Sequence, residues 1–214
     1  GYGNSSDGSA SEPILDGVSL DVPQRGILGI QGPSGRGKST LLKLLMRYWD
    51  PDSGLVTLSE VPLPQVDAHH RRRLQTMMGQ ETYLFDGTIR ENLLMACDVD
   101  DSSAPPASDD VLRAALAKAS ALDLVDSLPK GLDTPVGELG GRLSEGERQR
   151  IGLARIFLRN ASLVLFDEPT SRLDAYNESV ILQSIDALAQ RGSAVLLVSH
   201  RDSTMRVADH VIRM

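Results

Sequence analysis

Apolar and polar positions along the chain change period several times, and each change marks an element. Gly26-Ile27-Leu28-Gly29-Ile30 is a short unbroken apolar run, as expected of a strand buried on both faces. Beyond the Gly-rich stretch Gly32–Gly37, residues Leu41, Leu42, Leu44 and Leu45, with Met46 and Tyr48, fall at helical spacing. Asp50-Pro51-Asp52-Ser53-Gly54 stops that helix, and Leu55–Leu58 follows as a short strand. Tyr48 and Trp49 are expected to close the helix end, and Met77-Met78 reads as buried strand. Val111 to Leu128 then reads as helix, with Leu112, Ala115, Leu116, Ala119, Leu122 and Val125 on one face. The Gly-rich stretch Gly131–Gly141 leads into a charged helix from about Glu145 to Arg159. Strand Leu163–Phe166, a helix near Asn177–Gln190, strand Ala194–Val198 and a last strand Val211–Met214 complete the pattern. Asn4–Ser11 and Asp100–Pro106 read as loops. This order predicts an α/β core interrupted by a mainly helical lobe, without internal repeats.

Composition narrows the function classes. The 214 residues are 41% hydrophobic and 24% charged, an ordinary globular profile. A formal charge of −7 argues against nucleic acid as partner, since neutralising phosphates needs a basic face. No apolar run approaches the ~18 residues of a membrane span, so any spanning part is expected elsewhere, and no secretory leader is visible. The lone Cys97 suits a reducing compartment, where the sequons at Asn4 and Asn177 never meet glycosylation machinery. His69-His70-Arg71-Arg72-Arg73 reads as a solvated helix face.

Three patterns carry chemistry. Gly32-Pro33-Ser34-Gly35-Arg36-Gly37-Lys38-Ser39-Thr40 lies between a strand and a helix. Its glycines let backbone N–H groups face phosphate oxygens, and the helix N-terminus adds positive potential. Lys38 is expected to reach the β and γ phosphates and the Ser39 hydroxyl to bind Mg²⁺. Thr40 occupies the third glycine position of a dinucleotide fingerprint, which excludes that reading. Leu163-Val164-Leu165-Phe166-Asp167-Glu168 is a buried strand delivering two carboxylates at its C-terminal end. Asp167 is expected to hold Mg²⁺ through water, and Glu168 to orient or deprotonate an attacking water. In Leu143-Ser144-Glu145-Gly146-Glu147-Arg148-Gln149-Arg150, a Ser hydroxyl and Gly amides at a helix start form a second anion site.

That third segment resembles the signature of the ATP-binding cassettes of ABC transporters, usually Leu-Ser-Gly-Gly-Gln. Glu145 replaces a glycine and Glu147 the glutamine. The resemblance extends over almost the whole chain. Gln80 in Met77-Met78-Gly79-Gln80-Glu81 is similar to the Q-loop glutamine, and Leu84–Leu93 looks like the exporter version of the segment after it. Thr134-Pro135-Val136-Gly137-Glu138 resembles the exporter X-loop. Ser171-Arg172-Leu173-Asp174 resembles the D-loop, with Arg172 where a small residue is usual, and His200 stands as the switch histidine. Tyr2 resembles the aromatic that stacks on adenine.

The resemblance implies a P-loop NTPase core of RecA type with an inserted helical subdomain and a small antiparallel β part. It divides one nucleotide-binding domain into a core of about 1–80 and 161–214 and a helical subdomain of about 88–160. Its cofactors would be ATP and Mg²⁺. Lys38, the amides of Gly32–Thr40 and His200 would stabilise phosphoryl charge; Ser39, Gln80 and Asp167 would manage Mg²⁺; Glu168 would serve the water. Ser144 and Gly146 would meet the ATP of a second cassette, in a homo- or heterodimer. A transmembrane domain fused N-terminally would place the unit at the cytoplasmic face of a membrane. A low-turnover regulatory cassette and a soluble ABC ATPase are the alternatives.

Overall fold

The structure, a computed structural model, describes residues 14–97 and 106–214. β1 (Gly26–Gln31) leads through the Gly-rich loop into α1 (Lys38–Leu45). A small antiparallel pair, β2 (Thr57–Leu58) and β3 (Val61–Pro62), precedes α2 (Ala68–Leu74) and β4 (Gln75–Met78). Four helices follow: α3 (Ile89–Leu94), α4 (Asp109–Lys118), α5 (Leu122–Ser127) and α6 (Glu145–Arg159). The chain then returns to β5 (Leu163–Asp167), α7 (Ala175–Gln190), β6 (Ala194–Ser199), α8 (Asp202–Met205) and β7 (His210–Arg213).

The five long strands form one parallel sheet in the order β4-β5-β6-β1-β7. Both faces of its centre are covered, which is why these strands read as continuous apolar runs. Ile27, Val164, Phe166, Val195 and Leu197 face one side, where they join a core that continues through Leu112, Leu116, Ile151 and Leu153 of the helical segment. Leu28, Ile30, Leu165, Leu196 and Val198 face the other, against Leu41 and Leu42 of α1. All strands being parallel, their C-terminal ends lie along one edge, the usual place for a ligand crevice in open α/β sheets.

Three local expectations need correction. The helix read from Val111 to Leu128 is two helices, because Ser120 adopts a left-handed φ of 52° and turns the chain. The apolar period survives the break, since Ala119, Ala121 and Val125 are all fully buried. Only Thr57–Leu58 of the expected Leu55–Leu58 strand pairs, and Leu55 is 67% exposed. Tyr48 does not close the end of α1 but is 60% exposed, while Trp49 lies under the Lys43 ammonium, 5.0 Å from the ring centroid. The expected loops at Asn4–Ser11 and, for the most part, Asp100–Pro106 lie outside the described residues.

Candidate functional site: a cleft over the strand ends

The C-terminal ends of β1, β4, β5 and β6 bring Ser34, Gly35, the run Gly37–Thr40, Gln80, Glu168 and His200 to one cleft of about 440 Å³, which Ile14, without a motif to mark it, also lines. After β1 the chain reaches α1 through Gly37, whose φ of 84° caps the helix in a conformation that other L-residues adopt only with strain. α1 is thereby aimed with its N-terminal amides into the cleft, beside Ser34, Gly35 and Thr40. Pro33 and Arg36 are exposed in the same loop. Lys38, only 5% exposed, donates to the carbonyls of Gly32 at 2.7 Å and Pro33 at 2.8 Å. No carboxylate among the described residues forms an ion pair with it. Its charge therefore stands ready for an external anion.

β5 delivers Asp167 and Glu168. The Ser39 hydroxyl donates to Asp167 Oδ1 at 3.0 Å, joining the loop after β1 to the end of β5. Burial pushes the Asp167 carboxyl above its ordinary value, and the neighbouring Glu168 charge adds to this; the Ser39 hydrogen bond, Lys43 and Lys38 oppose it. A buried carboxylate raised by desolvation gains from a cation. A hydroxyl beside it completes a hard oxygen pair of the kind Mg²⁺ takes together with phosphate and water. The two residues fit that ion.

Glu168 sits in a left-handed turn, φ 52°, with its amide donating to Val198 O at 2.9 Å. Its Oε1 lies 2.9 Å from Nδ1 of His200, the residue that follows β6. Gln80, after β4, lines the same cleft and donates from Nε2 to the Ser171 hydroxyl at 3.2 Å. Tyr2 lies outside the described residues.

Ser144 and Gly146 do not line this cleft. They begin α6, where Ser144 and Glu147 form a reciprocal cap: Glu147 Oε2 accepts from the Ser144 amide at 2.8 Å, and Ser144 Oγ from the Glu147 amide at 3.4 Å. Glu145 pairs with Arg148 at 2.6 Å, and Arg148 also donates to Leu143 O at 2.6 Å. Both carboxylates that depart from the signature pattern are thus held within the first turn of α6. Gly146 is buried, and a side chain there would meet the Asn177 amide at 2.7 Å.

A family model described as ABC transporter matches residues 15–171. The chain belongs to the ABC transporter family. A probable ABC transporter ATP-binding/permease protein of Haemophilus influenzae is 47% identical over 202 residues, 94% of this chain and 35% of its own length. The ABC transporter ATM1 of Toxoplasma gondii is 43% identical over 203 residues, 95% of this chain and 17% of its own. A solved structure of a bacterial Atm1-family ABC exporter with ATP bound superposes with a TM-score of 0.79 at 34% identity, covering 88% of this chain and 32% of that one. The chain thus spans 35% or less of the length of these relatives. It is an exporter-type ABC nucleotide-binding domain with the P-loop α/β fold and a small antiparallel sheet. No helix among the described residues is long and apolar enough to cross a membrane.

Several contacts around the cleft have no local sequence signal. Arg172 pairs with Glu81 at 2.6 Å, beside the Gln80–Ser171 contact, so two successive pairs join the segments after β4 and β5. Arg155 of α6 donates to Asn92 O at 3.0 Å and Tyr83 O at 2.8 Å, pinning the segment between β4 and α3. Glu178 and Arg201 pair beneath His200. Only the placing of their partners, remote in sequence, reveals them.

Proposed function

We propose that this domain binds Mg²⁺–ATP in the cleft over the strand ends, closes on a second cassette around it, and hydrolyses it. The movement would drive transmembrane helices of a longer chain at the cytoplasmic face of a membrane. One observation carries the reading: four parallel strands deliver an ammonium, a Ser–Asp oxygen pair, a Glu–His pair and a glutamine to one cleft. The relatives' names as ATP-binding/permease protein and ABC exporter support it.

In this reading Lys38 and the amides of the Gly32–Thr40 loop hold the β and γ phosphates. Ser39 and Asp167 hold Mg²⁺, with Gln80 at its edge. Mg²⁺, when bound, neutralises charge on the phosphoryl oxygens. Glu168 orients a water and takes its proton as the water oxygen bonds to the γ phosphorus and the bridging bond to the β phosphate breaks. His200 keeps the Glu168 carboxylate in place and donates towards the γ phosphate. Tyr2 stacks on adenine, and Ser144 with the first-turn amides of α6, Gly146 included, contacts the ATP of the second copy. Residues 1–80 and 161–214 then act as the nucleotide core and 88–160 as the helical subdomain.

The test is Glu168→Gln in the full-length chain. Nucleotide binding is expected to persist while turnover falls by ~10²- to 10⁴-fold, the span of general-base catalysis, and Mg²⁺–ATP should trap a dimer. Turnover equal to that of the unaltered protein would remove the reading.

A further inference from the structure

Beneath the Glu168–His200 pair lies a buried polar network that the reaction as described does not use. Glu178, on the first turn of α7, is 6% exposed. Its Oε2 meets Arg201 Nη2 at 2.7 Å, and its Oε1 accepts from the hydroxyls of Ser203 at 2.7 Å and Thr204 at 3.2 Å. Arg201 turns its other terminal nitrogen to Thr170 O at 2.6 Å. The Thr170 and Thr204 hydroxyls lie 2.7 Å apart. With Thr204 donating to Glu178, Thr170 donates to Thr204, and each of the three hydroxyl protons has an acceptor.

The ends of this network are what give it consequence. Thr170 stands two residues after Glu168, and Arg201 immediately follows His200. One guanidinium therefore ties the turn carrying the carboxylate to the turn carrying the imidazole, with Glu178 fixing the guanidinium from below. The first of these turns needs holding, because Glu168 is a non-glycine residue at φ 52° and such strain persists only where the surroundings over-determine it. A carboxylate buried this deeply is retained only when its charge and its lone pairs are matched, as they are here.

We infer that Glu178 and Arg201 are positioning residues for hydrolysis, setting the distance between Glu168 and His200 through Thr170 without touching nucleotide. The inference rests on the roles proposed for Glu168 and His200. Binding of ATP, which uses the loop after β1, is then separable from the network, whereas the chemical step is not.

The experiment is Glu178→Gln in the full-length chain, which keeps the acceptor for Ser203 and Thr204 but removes the anion facing Arg201. The expected result is a fall in kcat on the order of ten- to 10²-fold, the cost of misplacing a reacting group by a fraction of an ångström, with KM for ATP changed by less than about twofold. In a Glu168→Gln background the same substitution should lower residual turnover no further, because the network acts through Glu168. A merely structural loss would instead multiply in the double variant and lower kcat in step with the folded fraction. Should Glu178→Gln fail to fold, Thr204→Val, which puts a methyl in place of one hydroxyl of the network, should still lower kcat at constant KM. Unchanged kcat in a folded variant, or multiplied losses in the double variant, would overturn the inference. An inactive Glu168→Gln beside a fully active Glu178→Gln would overturn this inference alone. Normal turnover of Glu168→Gln would bring down the proposed function with it.

Discussion

His200 Nδ1 lies 2.9 Å from Glu168 Oε1, so the residue that follows β6 and the one that follows β5 meet over the cleft. The Glu168 side chain is largely buried and the imidazole half-exposed, which makes His200 the movable member of the pair. Replacing His200 by Ala leaves Lys38 and the loop amides intact. ATP affinity should therefore stay within a few-fold, while turnover falls about 10²- to 10³-fold, as when one donor to developing charge is lost. Phosphate release measured alongside equilibrium nucleotide binding checks this, and equal losses in both would contradict it.

Asp167 predicts a stability effect of opposite sign to its effect on function. Burial holds its carboxyl above the ordinary 3.8, so between that value and the raised one the folded protein binds more protons than the unfolded chain. Stability contributed by this group therefore falls as pH rises through that window, and the penalty persists at neutral pH. Asp167→Asn keeps an acceptor for Ser39 and discards the charge. Assayed free of nucleotide and Mg²⁺, it should melt higher than the unaltered protein at neutral pH, the difference shrinking as pH falls through that window and vanishing well below 3.8. Its Mg²⁺-dependent turnover should be lost. A lower melting temperature at neutral pH would show that the carboxylate is better compensated than its surroundings indicate.

In the proposed dimer the first turn of α6 meets phosphate with two carboxylates on it, and Arg148 neutralises one of them. Arg148→Ala frees Glu145 and should weaken Mg²⁺–ATP-dependent dimerisation of a Glu168→Gln protein by roughly three- to tenfold, the size of a partly exposed charge interaction. Adding Glu145→Gly should recover most of that loss. Light scattering against ATP concentration reads the effect. A double variant as weak as Arg148→Ala alone would mean that Arg148 acts through the Leu143 carbonyl instead.

The parts of the fold legible in the sequence are those that local pattern controls. β1, β5 and β6 are buried on both faces, so their apolar runs name them, and Gly37 and Ser144 sit at helix starts where their chemistry is specified by position. The break at Ser120 was hidden because α4 and α5 keep one apolar period across it. The reason for Gly146 was hidden for another cause. The sequence suggests a glycine bared for an anion, whereas its Cα packs against Asn177, 31 positions away in the chain. Gln80 with Ser171, Glu81 with Arg172, and Glu178 with Arg201 are likewise pairings between remote segments that only the sheet order brings together. Lys38, Ser39, Gln80, Glu168 and His200 at the cleft could be read from motifs; Ile14 beside them, and what holds them there, could not.

The most direct measurement is the affinity of Lys38→Ala for labelled ATP in the presence of Mg²⁺, beside the unaltered protein. Loss of a buried ammonium with no carboxylate partner among the described residues should weaken binding about 10- to 100-fold, the worth of charged hydrogen bonds to an anion. Undiminished affinity would contradict the account, because the cleft over the strand ends would then not be where the triphosphate is held.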